Sequence, residues 1–232
     1  MPRHEITRLE AFSDAVFGFA LTLLVVSLEV PRSYAELMDV MAGFPAFACC
    51  FALLVWIWHE HNAFFRRYGL QDNVTILINA ALLFVVLFYV YPLKFMFDSM
   101  FARFVPRAHP PEPMALFQLA NASVVYAIGF ILMMLMFVLL YARAYARRRD
   151  LELTELDVFD LMSLAGHMVV STLVGFVALS IAALAPLAWA PLSPASLCLM
   201  GPGHFLWGAW HGRRRRALEA RIAASGYQTV TS

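Results

Sequence analysis

The chain has 232 residues, 62% of them hydrophobic and only 14% charged, with a net charge of +1 and a mean hydropathy of +0.70. Soluble domains average about 45–50% apolar and about 25% charged residues, so this composition excludes an ordinary soluble domain and points to a polytopic membrane protein. The three cysteines, Cys49, Cys50 and Cys198, all fall in apolar stretches, and their odd number argues for packing rather than a disulfide framework.

Six segments are long enough to cross a bilayer, which takes about 20 apolar residues: Phe12–Val30, Phe44–Phe65, Val74–Phe97, Leu116–Tyr141, Leu161–Leu184 and Leu192–Trp210. The first is expected to stay as a membrane span. It is long, acid-flanked and lacks the small-residue exit of a cleavable leader. Prolines 31, 45, 92, 186 and 194 are read as lying at or near segment ends, where a missing N–H does least harm. Arg103 to Pro113 carries four prolines and reads as an extended external loop. Asp150 to Asp160 is an acidic linker with Thr154 or Asp157 as a helix cap.

Basic residues set the expected orientation. With a cytoplasmic N-terminus, thirteen of the seventeen Lys and Arg residues fall inside, and only Arg32, Lys94, Arg103 and Arg107 fall outside. The positive-inside rule therefore gives an all-α protein with six transmembrane helices and both termini cytoplasmic. Residues 1–212 form the membrane domain, and residues 213–232 a basic, then polar, cytoplasmic tail. The tail reads as a short helical exit followed by disorder. Its Arg213–Arg216 run is first a topology signal, although membrane lipids are natural partners.

The first span opens on a charged stretch, Arg8-Leu9-Glu10-Ala11-Phe12-Ser13-Asp14. A carboxylate costs roughly 2.5–3.5 kcal/mol at a bilayer centre, less near an end, and Asp14 therefore needs a partner. Downstream, Ala15, Phe19, Thr22, Val26 and Glu29 recur at spacings of four, three, four and three, one stripe of a helix about 22 Å long. Such a stripe could offer a pore apolar rings, a hydroxyl ring and an acidic mouth. It could equally be a helix–helix seam with Thr22 bonded to its own backbone, which is the reading that spacing alone favours. No internal repeat is visible. One stripe per chain cannot enclose a pore, so a pore would need several copies about an axis.

His59-Glu60-His61 does not make a metal site. On a helix the two imidazoles point about 200° apart, and no H-E-x-x-H is present. His167, His204 and His211 read as hydrogen-bonded packing residues of the later spans, and their roles stay open. Nucleophile-elbow, Walker and dinucleotide motifs are absent, so no enzymatic activity and no nucleic-acid partner are expected. Nor is there a T-V-G-Y-G segment, which leaves side chains of the first span to discriminate between ions.

The pattern R-x-x-x-F-S-D at residues 8–14, followed by V-F-x-x-x-x-T-L-L at residues 16–24, resembles the signature of the transmembrane protein 175 family. Trp58-x-x-His61-x-x-Phe64 is similar to that family's W-x-x-H-x-x-F pattern, and Asn79 followed by Pro92 to its N…P pattern. The resemblance covers roughly the first hundred residues. It implies a prokaryotic single-repeat potassium channel of the cell membrane, a homotetramer with no cofactor beyond permeant K⁺. It further implies that Phe19 and Val26 form the pore constriction, that Thr22 contributes selectivity and that Glu29 stands at the pore mouth. Phe19 departs from the Leu or Ile usual in the family. Arg8, Phe12, Ser13, Asp14, Trp58, His61 and Asn79 would scaffold the pore helix. The competing expectation is a proton-coupled secondary transporter titrating Asp14, Glu29 and His61.

Overall fold

Thr7 starts the first helix. Its hydroxyl accepts from the Glu10 amide while the Glu10 carboxylate accepts from the Thr7 amide, a capping box that satisfies two amides a helix start leaves orphaned. Helix α1 (Arg8–Val26) thus begins one turn before the apolar run and ends at Ser27. The computed structural model describes residues 7–28, 30–102, 104–106 and 114–230, apart from the side chains of residues 225–230. Glu29 and most of the proline-rich loop lie outside the described residues.

A short amphipathic helix that hydropathy did not announce, α2 (Tyr34–Ala42), follows, capped by Ser33 and with none of its residues buried. Helix α3 (Phe44–Tyr68) starts on Pro45 and stops at Gly69, whose φ of +58° is the left-handed conformation that glycine adopts without a side-chain clash. Asp72 caps α4 (Asn73–Phe101), which runs on past Pro92. The proline is therefore inside a helix, not near its end: the helix extends to Phe101 because apolar residues continue beyond it. Helix α5 (Leu116–Ala146) has no side-chain cap, and α6 (Glu155–Leu184) opens on a second capping box, Thr154 with Asp157.

Among the described residues, helices α1, α3, α4, α5 and α6 are the five that are long and apolar enough to cross a membrane. The remaining expected span, Leu192–Trp210, folds differently. It is divided among α7 (Leu192–Ala195), a 3₁₀ turn at Ser196–Leu199 and the start of α8 (Met200–Val230). Pro194 interrupts the first part, and α8 carries Arg213–Arg216 just beyond Trp210, so that helix does not count among the long apolar ones. Helix α8 nevertheless runs unbroken through the basic stretch to Val230, so the exit from the membrane domain is helical along nearly all its length.

Helix α5 packs on α4 and α6, α1 packs on α3 and α4, and α8 docks on α6. The core holds Leu54, Phe64, Phe65, Tyr89, Met133, Phe137 and Tyr141, all essentially inaccessible. Close approach of α4 to α5 depends on Gly129: a side chain there would overlap the Tyr89 ring, whose hydroxyl donates to the Tyr126 carbonyl at 3.1 Å.

Candidate functional site

Helix α1 has two unlike faces. Glu10, Ser13, Phe17, Ala20 and Leu24, spaced by three and four, are buried against α3 and α4. On the other side Ala15, Phe19, Thr22 and Val26 are exposed, Phe19 by 66% and Val26 by 71%. The stripe is therefore not a seam inside one copy of the chain. Thr22 does bond its own backbone: its hydroxyl donates to the Gly18 carbonyl at 2.8 Å. The proton is thereby engaged inward, and the lone pairs of the oxygen remain on the exposed side.

The buried face is fastened by polar groups. Asn79 of α4 donates from Nδ2 to Ser13 Oγ at 3.0 Å, and its Oδ1 lies 2.7 Å from His61 Nε2 of α3. Because the amide donates with its nitrogen, its oxygen must accept, which assigns the hydrogen to His61 Nε2. Ser13 passes its own proton to the Leu9 carbonyl at 2.8 Å. His61 is sandwiched by Phe17 and Phe65 at ring-centre distances of 5.4 and 4.6 Å. Beside this chain, Trp58 Nε1 donates to Asp14 Oδ1 at 2.8 Å, giving the carboxylate a partner from α3. Ser13, Asp14, Trp58, His61 and Asn79 thus form one cluster tying three helices. Arg8 and Phe12 stand on the exposed side of α1 instead.

Two groups that sequence reasoning passed over complete the geometry. Lys94 Nζ donates to the Ser27 carbonyl at 2.7 Å and to Ser27 Oγ at 2.8 Å, joining the far end of α1 to α4. At the arginine-rich end, Arg143 of α5 holds Asp72 through Nη2 at 2.8 Å and Nε at 3.2 Å, while the Thr75 hydroxyl donates to the other oxygen at 2.7 Å. Desolvation alone would raise the Asp72 pKa, but the hydrogen bonds from Arg143 and Thr75 outweigh it and hold the carboxyl well below the usual carboxylate range.

The histidines sort by environment. His59 is exposed and His61 buried, on opposite sides of α3. His167 Nδ1 of α6 lies 2.9 Å from His204 Nδ1 of α8, and His211 stacks on Trp207 at 4.2 Å. Among the described residues no group of three metal-capable side chains gathers.

Five long apolar helices, with a first helix polar-fastened on one face and bare on the other, define a multi-pass membrane protein of the helix-bundle type. A family model described as "Endosomal/lysosomal potassium channel TMEM175" matches residues 8–89, the stretch that contains the whole polar cluster. A protein of Marivirga tractuosa named "Potassium channel" is 40% identical over 171 residues, 68% of this chain and 66% of its own length. A potassium channel of Chamaesiphon minutus is 32% identical over 96 residues, 38% of this chain and 47% of its own length. These alignments span about half to two thirds of the curated relatives.

Among solved structures, the potassium channel MtTMEM175, crystallised as a threonine-to-alanine variant with a Nanobody-MBP fusion protein, superposes with a TM-score of 0.77. It is 33% identical, over 92% of this chain and 98% of that one. A potassium-selective TMEM175 homologue from Chamaesiphon minutus shares the fold, with a TM-score of 0.55 at 23% identity over 90% of this chain and 96% of that one. The chain belongs to the TMEM175 family of potassium channels.

Proposed function

We propose that this chain is itself a potassium-permeable channel whose pore wall is α1, contributed by several copies about a rotational axis. The observation that carries the reading is the division of α1 into a fastened face and a bare one. A bilayer explains an exposed Phe19 or Val26, but Thr22 and the partly polar Asp14 end are better used facing a path that ions travel. Phe19 and Val26 supply apolar constrictions that can close by dewetting. Between them Thr22 Oγ, its proton turned inward, presents lone pairs to a cation that has shed part of its water.

Four copies is the stoichiometry we propose, and the protein is assigned to the cell membrane of a prokaryote. The positive-inside pattern supports both termini on the cytoplasmic side, with the helical run from Leu192 into α8 as a sixth crossing. Its first 20 residues would span about 30 Å if helical. Glu29 would then stand at the external mouth. The Ser13, Asp14, Trp58, His61 and Asn79 cluster, with Arg8 and Phe12 beside it, would hold the pore helix in register rather than touch ions. No cofactor is needed beyond the permeant ion.

The test is ion flux through purified protein in liposomes under a K⁺ gradient and then a Na⁺ gradient. Non-saturating K⁺ flux above Na⁺ flux is expected, and Thr22→Ala should narrow the difference severalfold. Flux that saturates, or that needs a proton gradient, would instead indicate a carrier.

A further inference from the structure

Helix α1 is attached to α4 at two points, not one. Ser13 meets Asn79 near one end, and Ser27 meets Lys94 at the other. The two intervals, fourteen residues on α1 and fifteen on α4, are about 21 and 22 Å of helix, so the helices run side by side in the same direction. Phe19, Thr22 and Val26 all lie between the attachments. The polar cluster explains the first; nothing in it explains the second.

We propose that Lys94 is a positioning residue for the ion path: it holds the outer end of α1 and so sets the spacing of the Val26 turn. The local chemistry suits an ammonium. The last turn of α1 contains no basic residue, and its free carbonyls carry the negative end of the helix dipole. Ser27 Oγ gives its proton to the Leu24 carbonyl at 2.6 Å, so both oxygens of Ser27 are acceptors. A compact –NH₃⁺ reaches the two together, whereas a planar guanidinium is built for a carboxylate fork. Lys94 is the only lysine in a chain with sixteen arginines. It is half-buried and stands two residues beyond Pro92, where the missing N–H leaves the Phe88 carbonyl without its usual helical partner. Bending of α4 at that point would carry Lys94, and with it the end of α1. For its effect on ions this inference rests on the pore reading; for the anchoring it rests on the distances alone.

The experiment compares wild type, Lys94→Met and Lys94→Arg as assembled protein in lipid nanodiscs and in liposomes, with two readouts. In hydrogen exchange, Lys94→Met should speed the amides of Val25 to Leu28 by about ten- to a hundredfold, as expected for loss of charge-assisted hydrogen bonds, while amides around Ser13 keep their protection. In flux, it should lower the K⁺-to-Na⁺ ratio severalfold, with Lys94→Arg lying nearer wild type. Unchanged exchange at Val25 to Leu28 overturns the anchor whatever the flux. Faster exchange with an unchanged flux ratio overturns the link to the ion path. Wild type without K⁺ flux would defeat the pore reading and leave exchange to decide the anchor. Should Lys94→Met not assemble, Ser27→Ala removes one of the two acceptors and is expected to give an intermediate effect in both readouts.

Discussion

At the scale of single residues, Asn79 is the hinge of the polar cluster because it alone bonds both α1 and α3. Replacing it with Leu leaves the His61 Nε2–H buried beside Phe17 and Phe65 with nothing to accept it. Interhelical hydrogen bonds in membranes contribute about 0.6 kcal/mol on average and up to about 1.7, and an orphaned buried donor costs about 1–3. Asn79→Leu should therefore lower stability by roughly 1–2 kcal/mol, read as thermal unfolding of the detergent-solubilised protein. No loss of stability would mean that the cluster is incidental. Asp72 makes a prediction of opposite character, because it titrates. Its pKa is depressed in the folded state, so its contribution is complete above its unfolded pKa near 4 and is lost progressively as pH falls toward the folded value. The melting-temperature gap between wild type and Asp72→Asn should be constant from pH 5 to 8 and narrow below about pH 4. A gap that does not change down to pH 3 would show that Arg143 does not hold the carboxylate in solution.

At the scale of elements, α8 depends on α6 for its place. Trp207 lies across Gly166 and donates from Nε1 to the Ser163 carbonyl at 2.9 Å, and His204 meets His167 one turn away. Further along, Arg215 reaches Asp160 at 2.9 Å, and Asp160 also accepts from Arg67 of α3 at 3.2 Å. These ion pairs are partly exposed, and such pairs contribute about 0–1 kcal/mol each, so the tryptophan seat should dominate the docking. Gly166→Ala puts a methyl group where the indole ring now lies and should cost about 1–3 kcal/mol by overpacking. Hydrogen exchange is expected to rise along α8 and not along α3. The same scale holds the prediction for Phe19. Its side chain on the bare face of α1 is larger than the Leu or Ile of the family pattern, and Phe19→Ala should raise passive K⁺ leak in liposomes. Unchanged leak would remove Phe19 from the constriction.

For the whole molecule, what could be read in the sequence follows from what is local. Five of the spans were legible because hydropathy over 20 residues depends on nothing else, and the helix start at Thr154 follows from Thr-x-x-Asp, whereas the earlier start of α1 at the Thr7-x-x-Glu10 box was passed over because it precedes the apolar run. The cluster around Asn79 was legible only through the resemblance to a family pattern, and not as the particular bonds His61–Asn79–Ser13. Three other features had no local trace. Lys94 and Ser27 are 67 residues apart, His167 and His204 are 37 apart, and α2 is too short and mixed to register as an apolar run. The stretch from Leu192 was read as one segment because an average hydropathy does not register the turn at Pro194 that divides it into α7, a 3₁₀ turn and the start of α8. If the bare α1 faces line the proposed pore, several copies must bring them together, and purified protein should show a mass four times the 26.1 kDa chain.

The central claim is that the bare face of α1 borders the ion path. It is tested most directly by substituted-cysteine modification in a background lacking the three native cysteines. Val26→Cys and Phe84→Cys place a thiol on two positions of equal exposure in the single chain, both 71%, one on the α1 stripe and one on α4. A bulky charged methanethiosulfonate should stop K⁺ flux through the Val26→Cys protein and leave the Phe84→Cys protein conducting. Flux that survives modification at Val26, or stops equally at both, would contradict the account.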